Sequence, residues 1–257
     1  MSKTTEPILG ILKHRKRFVA VGCGHGIHLD QSAWRQFLKF CAAFKPQVRI
    51  HLGDAFDTTA FRAGALDGAQ AGKDQAASIC DDLGSGLVAL QQYEPTVFFA
   101  GNHEDRLVGM ASHPKAIIAY AAGQVQKDID EVCRRMHCET VPYDIERGWR
   151  RLGDTLFGHG YMFNENAPRD HAESFGKCVI AHLHKVAMVS GRALNAPSCY
   201  VVGCMAEIPA MAYARRRRSS LSWANGFAYG EYTEDSCDIR LRTLDVGSWK
   251  APGLLTT

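Results

Sequence analysis

Apolar positions along this chain fall into two kinds of pattern. Short runs rich in β-branched and aromatic residues, "RFVAVG" (17–22), "QVRIHLG" (47–53) and "PTVFFAG" (95–101), each end in glycine and read as buried strands. Between the first two, "DQSAWRQFLKFCAAF" (30–44) repeats Trp34, Phe37, Leu38, Cys41 and Phe44 at helical spacing, with Asp30 placed to cap its start. A second helical stretch, 70–93, precedes the third strand. A long helical region follows Asn102, its clearest part being "PKAIIAYAAGQVQKDIDEVCRRM" (114–136). Strand and helix in alternation predict a parallel α/β core whose strand C-termini leave loops free for a site.

The second half changes character. "DTLFGHG" (154–160), "KCVIAHLH" (177–184), "KVAMVSG" (185–191), "SCYVVGC" (198–204), "NGFAYGEYT" (225–233) and "CDIRLRTL" (237–244) read as short strands separated by turns. They predict a second, more antiparallel sheet packed against the first. No linker, repeat or low-complexity stretch interrupts residues 1–257, so one domain is expected.

Composition narrows the classes. The 257 residues are 46% hydrophobic, enough for a sizeable core. A formal net charge of +3 excludes a chain-wide polyelectrolyte but leaves a local basic patch open. The nine cysteines contain no CxxC pair, and four residues separate Cys133 from Cys138 and Cys199 from Cys204. Most are expected to be small core residues rather than disulfides or metal knuckles. "MSKTTEPILGILKHRKR" places its apolar patch before its charges, the reverse of a secretory signal, and no apolar run approaches the roughly 18 residues of a membrane span. A cytoplasmic protein with no membrane partner is expected.

The strand ends carry the chemistry. The first offers Cys23 and His25, the second Asp54 and Asp57, and the third Asn102, His103, Glu104 and Arg106. His159 and then His182 and His184 follow later runs. Imidazole, carboxylate and amide oxygen suit first-row ions such as Mn, Fe and Zn. Two such ions a few ångströms apart polarise a phosphoryl group and generate a hydroxide at neutral pH.

In order, "CGH", "GD", "GNHE", "GH" and "AHLH" resemble the motifs of the calcineurin-like metallophosphoesterases, over residues 18–184. The resemblance implies a four-layer α/β/β/α sandwich of two mixed sheets flanked by helices. It also implies a centre of two divalent or mixed-valence metal ions (Mn, Fe or Zn) that activates hydroxide against a phosphate ester. On this likeness Asp54 matches the carboxylate that bridges both ions. His25 and His184 match ligands of one ion, and Asn102, His159 and His182 match ligands of the other. His103 matches the group that protonates the leaving oxygen or holds the phosphate, and Asp57 a position that orients that histidine.

Two departures stand out. The family begins Asp-x-His, whereas this chain has Cys23-Gly24-His25. Three readings of Cys23 compete: a thiolate ligand biasing the site toward Zn or Fe, a bystander beside a weakened first site, or a mononuclear or inactive centre. "AHLH" for "GHxH" adds one methyl and need not move either histidine.

Plainer readings stand beside these. Asp57 is also readable as structural, and Glu104 and Asp105 as favouring a helix start through its dipole. Arg106 is a candidate phosphate clamp. The Arg215–Arg218 run reads either as a solvated loop or as a phosphate- or nucleic-acid-binding edge, with Tyr213 and Trp223 available to stack on bases. The threonines after Asp57 depart from the protein phosphatase branch. The expected activity is a phosphodiesterase acting on nucleic acid or a nucleotide, the alternatives being a phosphomonoesterase or a non-catalytic metal-binding scaffold. Oligomeric state is left open.

Overall fold

The structure, a computed structural model, describes residues 15–62, 75–211 and 218–244. In chain order its strands and helices are β1 (Lys16–Val21), α1 (Gln31–Phe44), β2 (Val48–His51), α2 (Gln75–Tyr93), β3 (Val97–Phe99), α3 (Asn102–Met110), α4 (Ala116–Arg135), β4 (Glu139–Val141), β5 (Arg150–Leu152), β6 (Thr155–Gly158), α5 (Ala167–Phe175), β7 (Cys178–Ile180), β8 (Val186–Ser190), β9 (Ser198–Val202), β10 (Asn225–Tyr232) and β11 (Cys237–Leu244). The capping expectation is met: the Asp30 carboxylate accepts from the Ser32 and Ala33 amides at 2.9 Å each. Residues 70–74 of the second predicted helix lie outside the described residues.

The strands form two sheets, ordered β11-β10-β1-β2-β3-β4 and β5-β6-β7-β9-β8. β1 to β4 run parallel, which requires the crossovers that α1 to α4 supply. The expected division of the strands needs correction. β10 and β11 join the first sheet, with β10 antiparallel to β1. The second sheet is mixed, since β6, β7 and β9 are parallel and only β5 and β8 are antiparallel to their neighbours. A sequence run reports that a strand exists but not its partner. The short β4 and β5, and α5, were not legible as separate elements.

Alternation along β1 explains the layering. Phe18 and Ala20 face the second sheet and share a core with Ile50, Phe99, Phe157 and Val179, while Val19 and Val21 face Trp34 and Phe37 of α1. Phe18 and Phe157 meet edge to face, with centroids 5.1 Å apart, and so join the two sheets. On the far side α5 covers Cys178, Ile180, Cys199 and Val201 with Ala172. Helices, sheet, sheet and helix therefore stack as four layers. The parallel strands β1, β2, β3, β6 and β7 end on one edge, where their loops meet. Among the described residues, no helix is long and apolar enough to cross a membrane.

The basic run at the chain start lies at the other end of β1. There Arg15 pairs with Asp238 at 2.9 Å, and Arg17 sits over the Phe44 ring. These residues do not serve the loop edge. Tyr213 and Arg215–Arg217 lie outside the described residues, as does the side chain of Arg218.

Candidate metal centre

Past their last paired residues, β1 and β2 continue side by side as loops. Cys23 N–H donates to the Gly53 carbonyl at 2.9 Å, His25 N–H to Asp54 at 3.0 Å, and Gly26 N–H to Ala55 at 2.8 Å. Cys23, His25, Asp54, His182 and His184 all adopt left-handed backbone, with φ between 52° and 57°. That region costs a non-glycine residue about 1 kcal/mol or more. The conformation turns each side chain off its strand end and into a common space. Gly101 completes the geometry: a Cβ there would overlap the Asp54 carboxylate and the His159 ring.

The side chains gather in two groups. The first holds Cys23, His25, Asp54 and His184, with one donor atom from each lying within 4.8 Å of the others, and His25 Nε2 is 3.0 Å from His184 Nε2. The second holds Asp54, His159 and His182. Asn102 joins it, its Oδ1 lying 3.1 Å from His159 Nε2 and 3.0 Å from His182 Nδ1. Asp54 Oδ2 is 3.2 Å from His159 Nε2. Asp54 thus belongs to both groups. All seven residues expected to bind metal come together here.

The second group fits a cation on its own evidence. His159 Nδ1–H donates to the Leu52 carbonyl at 2.6 Å, which fixes the tautomer of the neutral ring. Its Nε2 lone pair then faces a carboxylate oxygen, an amide oxygen and His182 Nδ1, an arrangement that repels itself unless a positive charge sits between. Edges of about 3 Å are those of a site with donor bonds of about 2.1 Å. Without an ion, a proton takes the place: burial disfavours the His159 cation, but Asp54 overcomes this and raises its pKa. Burial likewise opposes the Asp54 anion, yet His159 and His103 hold it well below the usual carboxylate range. Cys23 is fully buried, and burial, then Asp54, push its thiol well up. The thiol stays protonated until an ion displaces the proton. Its place among His25, Asp54 and His184 fits the ligand reading of Cys23, and sulfur with two imidazoles suits Zn or Fe better than Mn.

The structure redistributes roles around the centre. His103 lies in the first turn of α3; its amide donates to Asp54 Oδ1 at 3.0 Å, and its Nδ1–H donates to the Asp57 main-chain carbonyl at 2.5 Å. Burial lowers its pKa to about 4. The main chain of Asp57, rather than its carboxylate, therefore orients His103. The carboxylate, pinned by the Thr59 hydroxyl, lies closer to His25 Nδ1 (3.3 Å) than to His103 Nδ1 (3.6 Å). It sits where a carboxylate would fix the ring of a metal-binding histidine. Arg106 Nη1 bonds the Asp57 and Thr58 carbonyls and the Thr58 hydroxyl at 2.8–3.1 Å, so it braces this loop while also lining the cleft.

Two acids do work that the sequence did not announce. Glu104 is buried, and beyond any dipole effect its carboxylate accepts from the amides of Asp54, Ala55, Phe56 and Gly101 at 2.7–3.2 Å. Burial and the Asp54 charge push it up to about 7 against those donors. Its reach back to the Gly101 amide, three residues earlier, is the glutamate half of a capping box; glycine has no side chain to supply the other half, so "GNHE" does not carry the usual signal. Asp82, from α2, accepts from the amides of Asp57 at 2.9 Å and Thr58 at 2.8 Å, and from the Ile27 main chain. Gly26 allows this approach, since a Cβ there would collide with the Asp82 carboxylate. No sequence motif marks Asp82.

Two outcomes follow from this geometry. Asp82→Ala removes the acceptor of the Ile27, Asp57 and Thr58 amides, which costs about 1–3 kcal/mol for each of the two that are buried. Because those amides sit on the loops carrying His25 and Asp57, metal titration should show weaker binding at the first group and unchanged binding at the second. Affinity at the first group equal to that of the unaltered protein contradicts the bracing role. Second, ions compete with the raised His159 proton and the Cys23 thiol proton, so affinity rises with pH and binding releases protons. Calorimetry of Zn uptake in two buffers of different ionisation enthalpy measures that release; uptake with none contradicts both assignments.

No protein-family model matches the sequence, and no curated protein matches it. Among solved structures, the chain is similar to a metallophosphoesterase from Sphaerobacter thermophilus, with 13% identity, a TM-score of 0.48 and coverage of 90% of this chain and 89% of that one. It is similar to Yfce, a phosphoesterase from E. coli, with 11% identity, a TM-score of 0.37 and coverage of 89% and 100%. It is also similar to Vps29 from Entamoeba histolytica, with 11% identity, a TM-score of 0.41 and coverage of 90% and 94%.

Proposed function

We propose that the chain is a metal-dependent phosphoesterase of the calcineurin-like kind, acting on a phosphodiester of a nucleotide or nucleic acid. The observation that carries this reading is the Asp54 carboxylate held in common by two groups of nitrogen, oxygen and sulfur donors. When bound, two first-row ions there supply a polarised phosphoryl oxygen and a water acidic enough to attack phosphorus at neutral pH.

The chain's own residues supply the rest. Asn102 and His103 open α3, so the positive end of that helix faces the place where a phosphate would sit. His103 has its Nδ1–H spent on Asp57, so its Nε2 can donate only from the cationic ring. Burial opposes that cation while Asp54 and Asp57 favour it, and an arriving phosphate anion favours it further. His103 then holds the phosphate or delivers a proton to the departing oxygen.

The adjoining cleft has a volume of ≈ 850 Å³ and is lined by Asp54, Asn102, His103 and His182, with Arg62 and Arg106 beside them. A cleft of this size exceeds what a bare phosphate monoester fills, and its guanidinium groups suit a longer anionic substrate.

The test compares bis-p-nitrophenyl phosphate with the monoester, using Mn- or Zn-loaded protein. The diester should be hydrolysed faster. Asp54→Ala should abolish turnover and lower bound metal, whereas His103→Ala should keep its metal and lose about 10²- to 10⁴-fold in rate. Equal metal loss in both variants overturns the role assignment. No turnover of either ester with any first-row ion favours the scaffold reading.

A further inference from the structure

The cleft has one wall that metal chemistry does not explain. Phe163 lines it from the loop between β6 and α5, and its side chain is 85% exposed. Leu221, 72% exposed, and Trp223 line it as well, and the Trp223 ring is held edge-on to His184 at 4.4 Å. A large apolar ring left in water has lost the burial that normally stabilises it. This one is also not on a loose strap. Before it, Tyr161 N–H donates to His171 Nε2 at 2.9 Å, and the Tyr161 hydroxyl donates to the Asp144 carbonyl at 2.5 Å. After it, the Asn164 carbonyl accepts from Ala167 at 3.1 Å, and Asn164 Nδ2 donates to Asp170 at 3.1 Å.

Two acceptors stand next to the ring. With Nδ2 committed to Asp170, the Asn164 amide presents its Oδ1, and Glu165 has no ion-pair partner among the described residues. Both line the cleft with Phe163. An aromatic plane flanked by hydrogen-bond acceptors, in a cleft whose floor can take a phosphate, has the chemistry of a nucleobase seat. The base stacks on the ring, and its edge N–H groups donate to the carboxylate. A lipid tail would use the apolar surface but leave Glu165 without a donor. Guanine suits Glu165 best, because it alone offers two adjacent N–H donors to one carboxylate.

We propose that Phe163, Asn164 and Glu165 form the base-recognition element of this cleft, selecting nucleotide esters with a guanine-type donor edge. The proposal rests on the phosphoesterase reading above and names the part of the substrate beyond the phosphate.

The experiment uses two p-nitrophenyl esters with the same leaving group: guanosine 5′-(p-nitrophenyl phosphate) and methyl p-nitrophenyl phosphate. Metal-loaded wild type should favour the guanosine ester. Phe163→Ala should raise KM for that ester by about 5- to 100-fold, the range of one lost base stack, with kcat and the methyl ester within twofold. Phe163→Trp should restore the low KM, and Glu165→Gln should erase the preference for guanosine over the thymidine ester. A Phe163→Ala variant that handles both esters as wild type does, or that slows both equally, overturns the proposal. If neither ester is turned over by wild type, the phosphoesterase reading fails alone. Equilibrium dialysis of guanosine 5′-monophosphate then decides the seat: binding that Phe163→Ala weakens supports it, and binding indifferent to that change refutes it.

Discussion

The Asp54 carboxylate joins two groups of donor side chains into one centre. It is buried at 2% exposure on a left-handed residue, and its two oxygens face His103 N–H on one side and His159 on the other. Around it, imidazole and amide oxygen present lone pairs at about 3 Å to one another, and the Cys23 sulfur lies within 4.8 Å of its group. Such a crowd of acceptors is stable only with positive charge inside it. The rest of the molecule follows from holding that arrangement still. The parallel strands bring their C-termini to one edge, the two sheets close over a shared apolar core, and α3 aims its first turn at the carboxylate.

Strained backbone at five donor residues needs restraint from elsewhere, and buried acids provide it. Glu104 gathers three amides of the Asp54 turn and that of Gly101, and Asp82 gathers those of the Asp57 turn. Arg106 fastens the same Asp57–Thr58 turn from the opposite charge. These contacts share a logic: a charged group is buried only where main-chain dipoles surround it. The donors are thereby preset, so an ion has little ordering to impose when it binds.

Much of this was legible in the sequence, for reasons that differ by element. The runs at 17–22, 47–53 and 95–101 became β1, β2 and β3 because a buried parallel strand must be apolar on both faces. The helix at 31–44 announced its start through Asp30. His25, Asp54, Asn102, His159, His182 and His184 were found because polar ligand types directly after such strands have few other reasons to be there. The pairing of β10 and β11 with β1 was not legible, since periodicity does not name a partner. Nor was Asp82, which sits mid-helix in a run of ordinary composition and acts only through the loops folded onto it. The orientation of His103 by the Asp57 carbonyl escaped for a similar reason, because a main-chain acceptor leaves no trace in side-chain identity. Phe163 carries no motif or periodicity of its own, and only the fold brings it into the cleft beside the centre.

Anomalous diffraction at the metal absorption edges, from crystals grown with Zn, tests the central claim most directly. The account predicts two peaks per chain with the Asp54 carboxylate between them, one having the Cys23 sulfur at about 2.3 Å and the other lying among Asn102, His159 and His182. A single peak, or two peaks neither of which touches Asp54, would contradict it.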